Sequence, residues 1–389
     1  MRLMAVVSLV VCLLAGCSNG DDDSSGPSSA GNVVPISVGE SAVCRTINQL
    51  CAVITICQPG TSSCQTISEV LVDNGSVGLR VFSSVLSTPL TQTVDVRGRA
   101  VGECTFFADG GTTWGPVQVA DVVLGGAPAV RVPIQVIQST FGGQSSSNNP
   151  CNDEVDTDPQ AASFNGILGI GIFRQDCGLI CATNSNNTLY FSCNGGSCTG
   201  VAVPLADQVQ NPVWLLPSGN NGLVITLPNV PAMGAPSVSG SLILGIGTTD
   251  NNTPSAGISV LTTDDNGFVT TVYKGRTFGQ SIIDSGSNGL FFPDASLQQC
   301  ATPLDPFYCP PNAVNLSGTV IGENGSQIVV PFQVANTENL VQTGNATFNN
   351  LGGDFSIFDW GLPFFLGRTV FIGIEGQSSS LGTGPYFAF

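Results

Sequence analysis

Two segments far apart in the chain carry nearly the same text: Val72-Asp73-Asn74-Gly75-Ser76-Val77-Gly78-Leu79 and Ile283-Asp284-Ser285-Gly286-Ser287-Asn288-Gly289-Leu290. Each brings an aspartate out of an apolar approach, Glu69-Val70-Leu71-Val72 or Gln280-Ser281-Ile282-Ile283, into Gly-Ser-X-Gly-Leu. The aliphatic approach is that of a buried strand, and the glycines that follow mark a tight turn. A single Asp-X-Gly is ordinary turn chemistry. Stated twice, it predicts two equivalent β units that meet at a shared two-carboxylate site.

Composition narrows the chemistry open to such a site. With 389 residues, 42% of them hydrophobic, the chain can bury a large core and has room for two lobes. Its 48 glycines, 24 prolines and 10% charged residues predict a β-rich fold with many turns. A net charge of -17 argues against nucleic acid and anionic membrane surfaces as partners. Histidine is absent, which removes Ser-His-Asp and Cys-His catalysis and His-containing zinc sites. Lysine chemistry would rest on Lys274 alone. Carboxylates remain as the acid-base groups, with no metal and no cofactor expected.

The N-terminus reads as an address. Arg2 precedes an apolar stretch from Met4 to Leu14, and Leu14-Ala15-Gly16-Cys17 resembles the lipobox of bacterial lipoprotein signal peptides. The stretch falls short of the roughly 20 apolar residues that span a bilayer. The resemblance implies a signal peptide over 1–16, a lipidated Cys17 and membrane contact through the lipid. With Ser18 next rather than aspartate, it implies the outer membrane of the cell envelope. Residues 17–39 carry a Ser-, Gly- and Asp-rich run and read as a flexible tether.

Beyond Cys17 twelve cysteines remain, an even number that suits disulfides in an oxidising compartment. Cys57 and Cys64, Cys177 and Cys181, Cys193 and Cys198, and Cys300 and Cys309 are close enough in sequence to staple loops, with connectivity left open. No Cys-X-X-Cys repeats, which favours disulfides over a metal cluster.

Each Asp turn is followed by an apolar-apolar-Gly segment: Phe164-Asn165-Gly166-Ile167-Leu168-Gly169-Ile170-Gly171 after the first and Leu362-Pro363-Phe364-Phe365-Leu366-Gly367-Arg368 after the second. In this order the motifs resemble those of the pepsin-like aspartic peptidases. The resemblance implies an all-β, bilobal fold with an interlobe cleft, lobes over 40–205 and 235–389, and a connecting segment over 206–234. It also implies Asp73 and Asp284 as the catalytic pair, supported by Asn74, Gly75, Ser76, Ser285, Gly286 and Ser287. The hydroxyls of Ser76 and Ser287 would bond the outer carboxylate oxygens. Cys104 to Gly115 resembles the family's flap hairpin, with Phe107, Asp109, Gly110 and Trp114 as flap residues. Ser241 to Gly247 resembles the strand that opens the second lobe. Together with the lipobox and the Cys-rich loops, Phe358 to Arg368 resembles a bacterial lipoprotein family of undefined function related to these peptidases.

Two departures stand out. Asn74 replaces the hydroxyl residue that links the two turns in the family, and its longer amide implies a looser link. The flap offers Phe106, Phe107 and Trp114 but no tyrosine. Elsewhere, Asp153, Glu154, Asp156 and Asp158 lack the spacing of a calcium loop and read as a solvated segment. Gly166-X-X-Gly-X-Gly reads as strand packing rather than a dinucleotide turn. The expected function is therefore hydrolysis of a polypeptide bound in the cleft. The alternative is a catalytically silent binding or structural lipoprotein that holds a peptide-like ligand there.

Overall fold

The computed structural model describes residues 31–39, 43–108 and 110–389. The signal peptide expected over 1–16, the lipidation expected at Cys17 and the expected flap residue Asp109 fall outside the described residues. Strand makes up 42% of the structure and helix 9%, so the all-β expectation holds. Among the described residues, no helix is long and apolar enough to cross a membrane.

The first half supplies β1 (Val33–Val38), β2 (Leu50–Cys57), β3 (Cys64–Asp73), β4 (Val77–Phe82), β5 (Thr91–Gln92), β6 (Ala100–Phe106), β7 (Thr112–Val123), β8 (Val130–Ile137), β9 (Gly166–Ile170), β10 (Tyr190–Asn194) and β11 (Ser197–Gly200). β2 pairs with both β3 and β7, so β2, β3, β9, β4, β8 and β7 close into a ring. Closure leaves no free edge among these strands. Every residue of β9 is buried, as its unbroken apolar run requires of a strand with neighbours on both sides. It lies parallel to β3 and antiparallel to β4, and so passes between the two strands that flank the first Asp turn.

The second half supplies β12 (Gly222–Thr226), β13 (Val238–Leu244), β14 (Val260–Thr262), β15 (Val269–Tyr273), β16 (Arg276–Ile283), β17 (Leu290–Phe291), β18 (Val314–Ile321), β19 (Gln327–Val334), β20 (Gly352–Gly353), β21 (Asp359–Trp360) and β22 (Thr369–Gly373), with a closing strand at Tyr386–Ala388. Seven of them form a second sheet in the order β19-β18-β15-β16-β21-β17-β20. Here β21 lies parallel to β16 and antiparallel to β17. The arrangement of β3, β9 and β4 is thus repeated around the second Asp turn.

A run of antiparallel strands joins the halves. β1 lies between β2 and β13, and the sheet continues through β12, β22 and Tyr386–Ala388 to β14. Two sequence boundaries shift as a result. The tether expected over 17–39 includes β1, whose Val34, Ile36 and Val38 are buried at strand period. The connecting segment expected over 206–234 includes β12, a member of the joining sheet.

The second apolar-apolar-Gly element is not the one the sequence suggested. Leu362–Phe365 is a short helix with proline in its first turn, where the missing N–H costs nothing. The strand that answers β9 is Asp359–Trp360, followed by Gly361. Leu168 pairs with Leu79 as Trp360 pairs with Leu290. A Cβ at Gly361 would meet the Gly289 carbonyl at 2.1 Å, and one at Gly169 would meet that of Gly78 at 2.6 Å.

All twelve cysteines of the described chain are paired. Cys57–Cys64, Cys177–Cys181, Cys193–Cys198 and Cys300–Cys309 are the four expected staples. Cys44–Cys51 and Cys104–Cys151 complete the set.

Candidate active site

Asp73 ends β3, and Asp284 follows the last residue of β16. Both are buried, and each carboxyl is held by the turn that follows it. Asp73 Oδ1 accepts from the Gly75 and Ser76 backbone N–H groups at 2.8 and 3.2 Å, and Oδ2 accepts from the Ser76 hydroxyl. Asp284 Oδ1 accepts from Gly286 N–H at 2.8 Å, and Oδ2 from the Ser287 hydroxyl at 2.8 Å. Gly75 N–H also reaches Asp284 Oδ1 at 3.1 Å, so one donor serves both carboxyls.

Close approach explains the turn glycines. A Cβ at Gly75 would lie 2.6 Å from Asp284 Cγ, and one at Gly286 would lie 2.7 Å from Asp73 Oδ1. Each glycine clears space for the opposite aspartate. Neither needs a positive φ.

Asn74 and Ser285 bind the two turns together. Asn74 N–H donates to Ser285 Oγ at 3.1 Å, while Ser285 N–H donates to Asn74 Oδ1 at 2.7 Å. Asn74 Nδ2 then donates to the Ile283 carbonyl at 2.6 Å, and Ser285 Oγ to that of Val72 at 2.9 Å. The looser link expected from an amide is not found. Asn has a separate donor and acceptor, so it fills both roles of a hydroxyl with two atoms.

A cleft of about 630 Å³ opens above the carboxyls. Leu71, Ile167, Ile282 and Phe291 line it, and the β6–β7 hairpin covers it with Phe106 and Phe107. The hairpin turn is closed by Phe107 N–H to Gly111 O at 2.9 Å and Gly110 N–H to Phe107 O at 3.0 Å. Trp114, expected on the flap, is fully buried beneath it, with its indole N–H donating to Phe141 O. Its ring partners are the half-buried Phe141 and Phe191, so it supports the hairpin and does not line the cleft.

Burial and the facing charge of Asp284 push the Asp73 carboxyl up to about 8, against the pull of the Ser76 hydroxyl and the Gly75 N–H. Such a pair keeps one proton where isolated carboxylates would have lost theirs. A third carboxyl belongs to the same group. Asp359 on β21 is buried, and burial followed by the charge of Asp284 raises it well above the ordinary range.

Sequence reading also missed Arg80. It is buried on β4, where Nη1 donates to the Val77 carbonyl at 2.7 Å and Nη2 to Glu103 Oε1 at 2.7 Å. Its Nε donates to Thr105 Oγ1 at 3.0 Å. One guanidinium therefore ties the first Asp turn to β6, the first strand of the hairpin. Asp176 Oδ2 also pairs with it at 3.3 Å. A lone arginine in an aliphatic strand carries no signal of such partners.

Other candidates resolve as structure. Lys274 pairs with Asp294 at 2.8 Å. Asp158 caps a short helix, accepting from Gln160 and Ala161 N–H, while Asp156 reaches the cleft rim. Among the described residues, no cluster of acids and cysteines is placed to hold a metal. A family model described as a protein of unknown function, DUF3443, matches residues 28–389. No curated protein matches the chain.

Proposed function

The chain belongs to the DUF3443 family of unknown function, and we propose that it is a bilobal, pepsin-like aspartic endopeptidase held at the bacterial outer membrane through Cys17. The observation that carries this reading is the pair of equivalent turns, whose carboxyls share the Gly75 N–H beneath a hairpin-covered cleft.

The chemistry follows from one proton on two acids. The ionised carboxylate takes a proton from a water as its oxygen attacks the peptide carbonyl. The protonated partner donates to the developing oxyanion. The leaving amine then receives a proton from the pair as the C–N bond breaks. An extended polypeptide suits the cleft, with the hairpin closing over it and Phe106 and Phe107 packing on side chains.

The test is cleavage of a mixture of denatured proteins by the full chain, from about pH 3 to 7. Asp73→Asn and Asp284→Asn should each abolish cleavage and leave the melting temperature near that of the parent. Cleavage that persists in both variants would remove the dyad. A folded parent that binds peptides and never cleaves them would favour the silent binding protein.

A further inference from the structure

The segment from Leu362 to Arg368, expected to run beneath the second Asp turn as a strand, instead forms one wall of a second cavity, of about 800 Å³. Leu290 and Trp360, which pair across β17 and β21, close its floor. Phe291, the next residue along β17, lines the cleft over the dyad. Successive residues of a strand point to opposite faces, so this cavity lies behind the cleft. The two share no lining residue among those described.

The cavity combines an apolar body with one cation. Leu316 of β18, Phe332 of β19 and Phe364 line it, and the half-buried Arg368 stands among them with its guanidinium carbon 4.8 Å from the centroid of the Phe364 ring. A turn fixes that arginine in place. Gly367 there has a φ of +79°, its N–H donates to the Leu227 carbonyl at 3.0 Å, and a Cβ on it would come within 3.2 Å of Asn229. Nη1 of Arg368 donates to the Phe364 carbonyl. Arg80, Arg99, Arg131 and Lys274 each meet a carboxylate, whereas Arg368 meets none among the described residues. Burial alone acts on its titration, drawing its pKa below the ordinary value. The described residues that line the cavity include no aspartate or glutamate, in a chain where 27 acids stand against 10 Lys and Arg. Withdrawing a cation from water without a counter-charge is costly, and an anion brought by a ligand removes that cost.

Amides edge the mouth. Asn315 and Asn229 accept from Gln333 and Asn349 at 2.9 and 3.2 Å, and their own Nδ2 groups have no acceptor among the described residues. We propose that this cavity is a second binding site, which takes the carboxyl end of a polypeptide whose last residue is apolar. The terminal carboxylate lies on the guanidinium fork of Arg368, a geometry that suits two parallel hydrogen bonds. The last side chain packs on Phe364, Leu316 and Phe332, and preceding carbonyls accept from Asn229 and Asn315. A backbone supplies those carbonyls; a simple apolar acid does not.

The site uses neither Asp73 nor Asp284, so it stands or falls apart from the peptidase reading. The probes are N-acetyl-Ala-Ala-Phe and its C-terminal amide, titrated into the full chain at pH 7 and followed by calorimetry. The acid should bind about tenfold more tightly than the amide, and Arg368→Gln should abolish the difference. Arg368→Lys, a point charge in place of a fork, should restore only part of it. Asn315→Asp, on the exposed rim and able to keep the bond from Gln333, should lose affinity for the acid and not for the amide. The preference should persist in Asp73→Asn, whatever that variant does to cleavage. Failure of the acid to bind, equal affinity for acid and amide, or a preference that survives in Arg368→Gln would overturn the proposal. Binding of 3-phenylpropionate as tight as that of the tripeptide would also overturn it, by assigning the cavity to small organic acids.

Discussion

Asn74 is the residue on which the joint between the two turns depends. Replacing it with alanine strands the Ser285 N–H and the Ile283 carbonyl in a buried setting, at about 1–3 kcal/mol for each unsatisfied group. Asn74→Ala should therefore lower the unfolding free energy by about 2–6 kcal/mol, read as a fall in denaturant midpoint with little change in slope. Asn74→Thr, which can both donate and accept, should recover part of that loss. The paired aspartates and Asn74 were visible in the sequence because a repeat exposes its own variable position. Asp359 was not. An acid between Phe358 and Trp360 looks like a surface interruption of an apolar run, and only the pairing of β21 with β16 places it beside the dyad.

Among the elements, the hairpin of β6 and β7 is anchored through both a disulfide and a buried ion pair. Cys104 on β6 is bonded to Cys151, closing the longest loop of the six disulfides at 47 residues. Arg80 holds the same strand to the first Asp turn. By the chain-entropy estimate, loss of Cys104–Cys151 costs about 4 kcal/mol against about 2 for the 7-residue loop of Cys44–Cys51. Alanine at both positions of each pair, compared by chemical denaturation, should show that order, and equal losses would contradict it. The elements that carried a repeat or an unbroken aliphatic run, such as β3, β9 and β16, were readable from the sequence. Two were not. β1 begins just after a polar, low-complexity run and its six residues pass for the end of it. β21 was hidden because an aspartate broke its apolar signal, while the aromatic run beyond Pro363 supplied a stronger false one.

Across the whole molecule, buried carboxyls decide how stability follows pH. Asp73, Asp359 and Asp176 are all raised, chiefly by burial. A carboxyl raised in the folded state binds its proton more tightly there than in the unfolded chain. Its contribution is complete below the unfolded value of about 3.9 and is lost as pH rises through the folded value, which for Asp73 is about 8. Asp294 and Asp121 act in the opposite sense. Hydrogen bonds from Lys274 and Arg131 lower them despite desolvation, and their support is lost as pH falls below about 4. The melting temperature should therefore peak in weak acid and decline towards pH 8, steepened by self-repulsion at a net charge of -17. Asp359→Asn should flatten the decline when thermal unfolding is followed from pH 3 to 9. A profile that rises steadily to pH 8 would refute this account.

The glycines that face the opposite aspartates have a consequence in time. Gly75 shapes the surroundings of Asp284, and Gly286 those of Asp73, while Asn74 bonds only to residues of the other turn. A chain emerging from the ribosome exposes Asp73 long before Ile283, Asp284 and Ser285 exist. Until they arrive, the first aspartate is an ordinary turn carboxylate without its acidic partner. The paired site is thus absent from every nascent chain that stops short of the second turn, and synthesis itself sets the earliest moment at which the two carboxyls can meet.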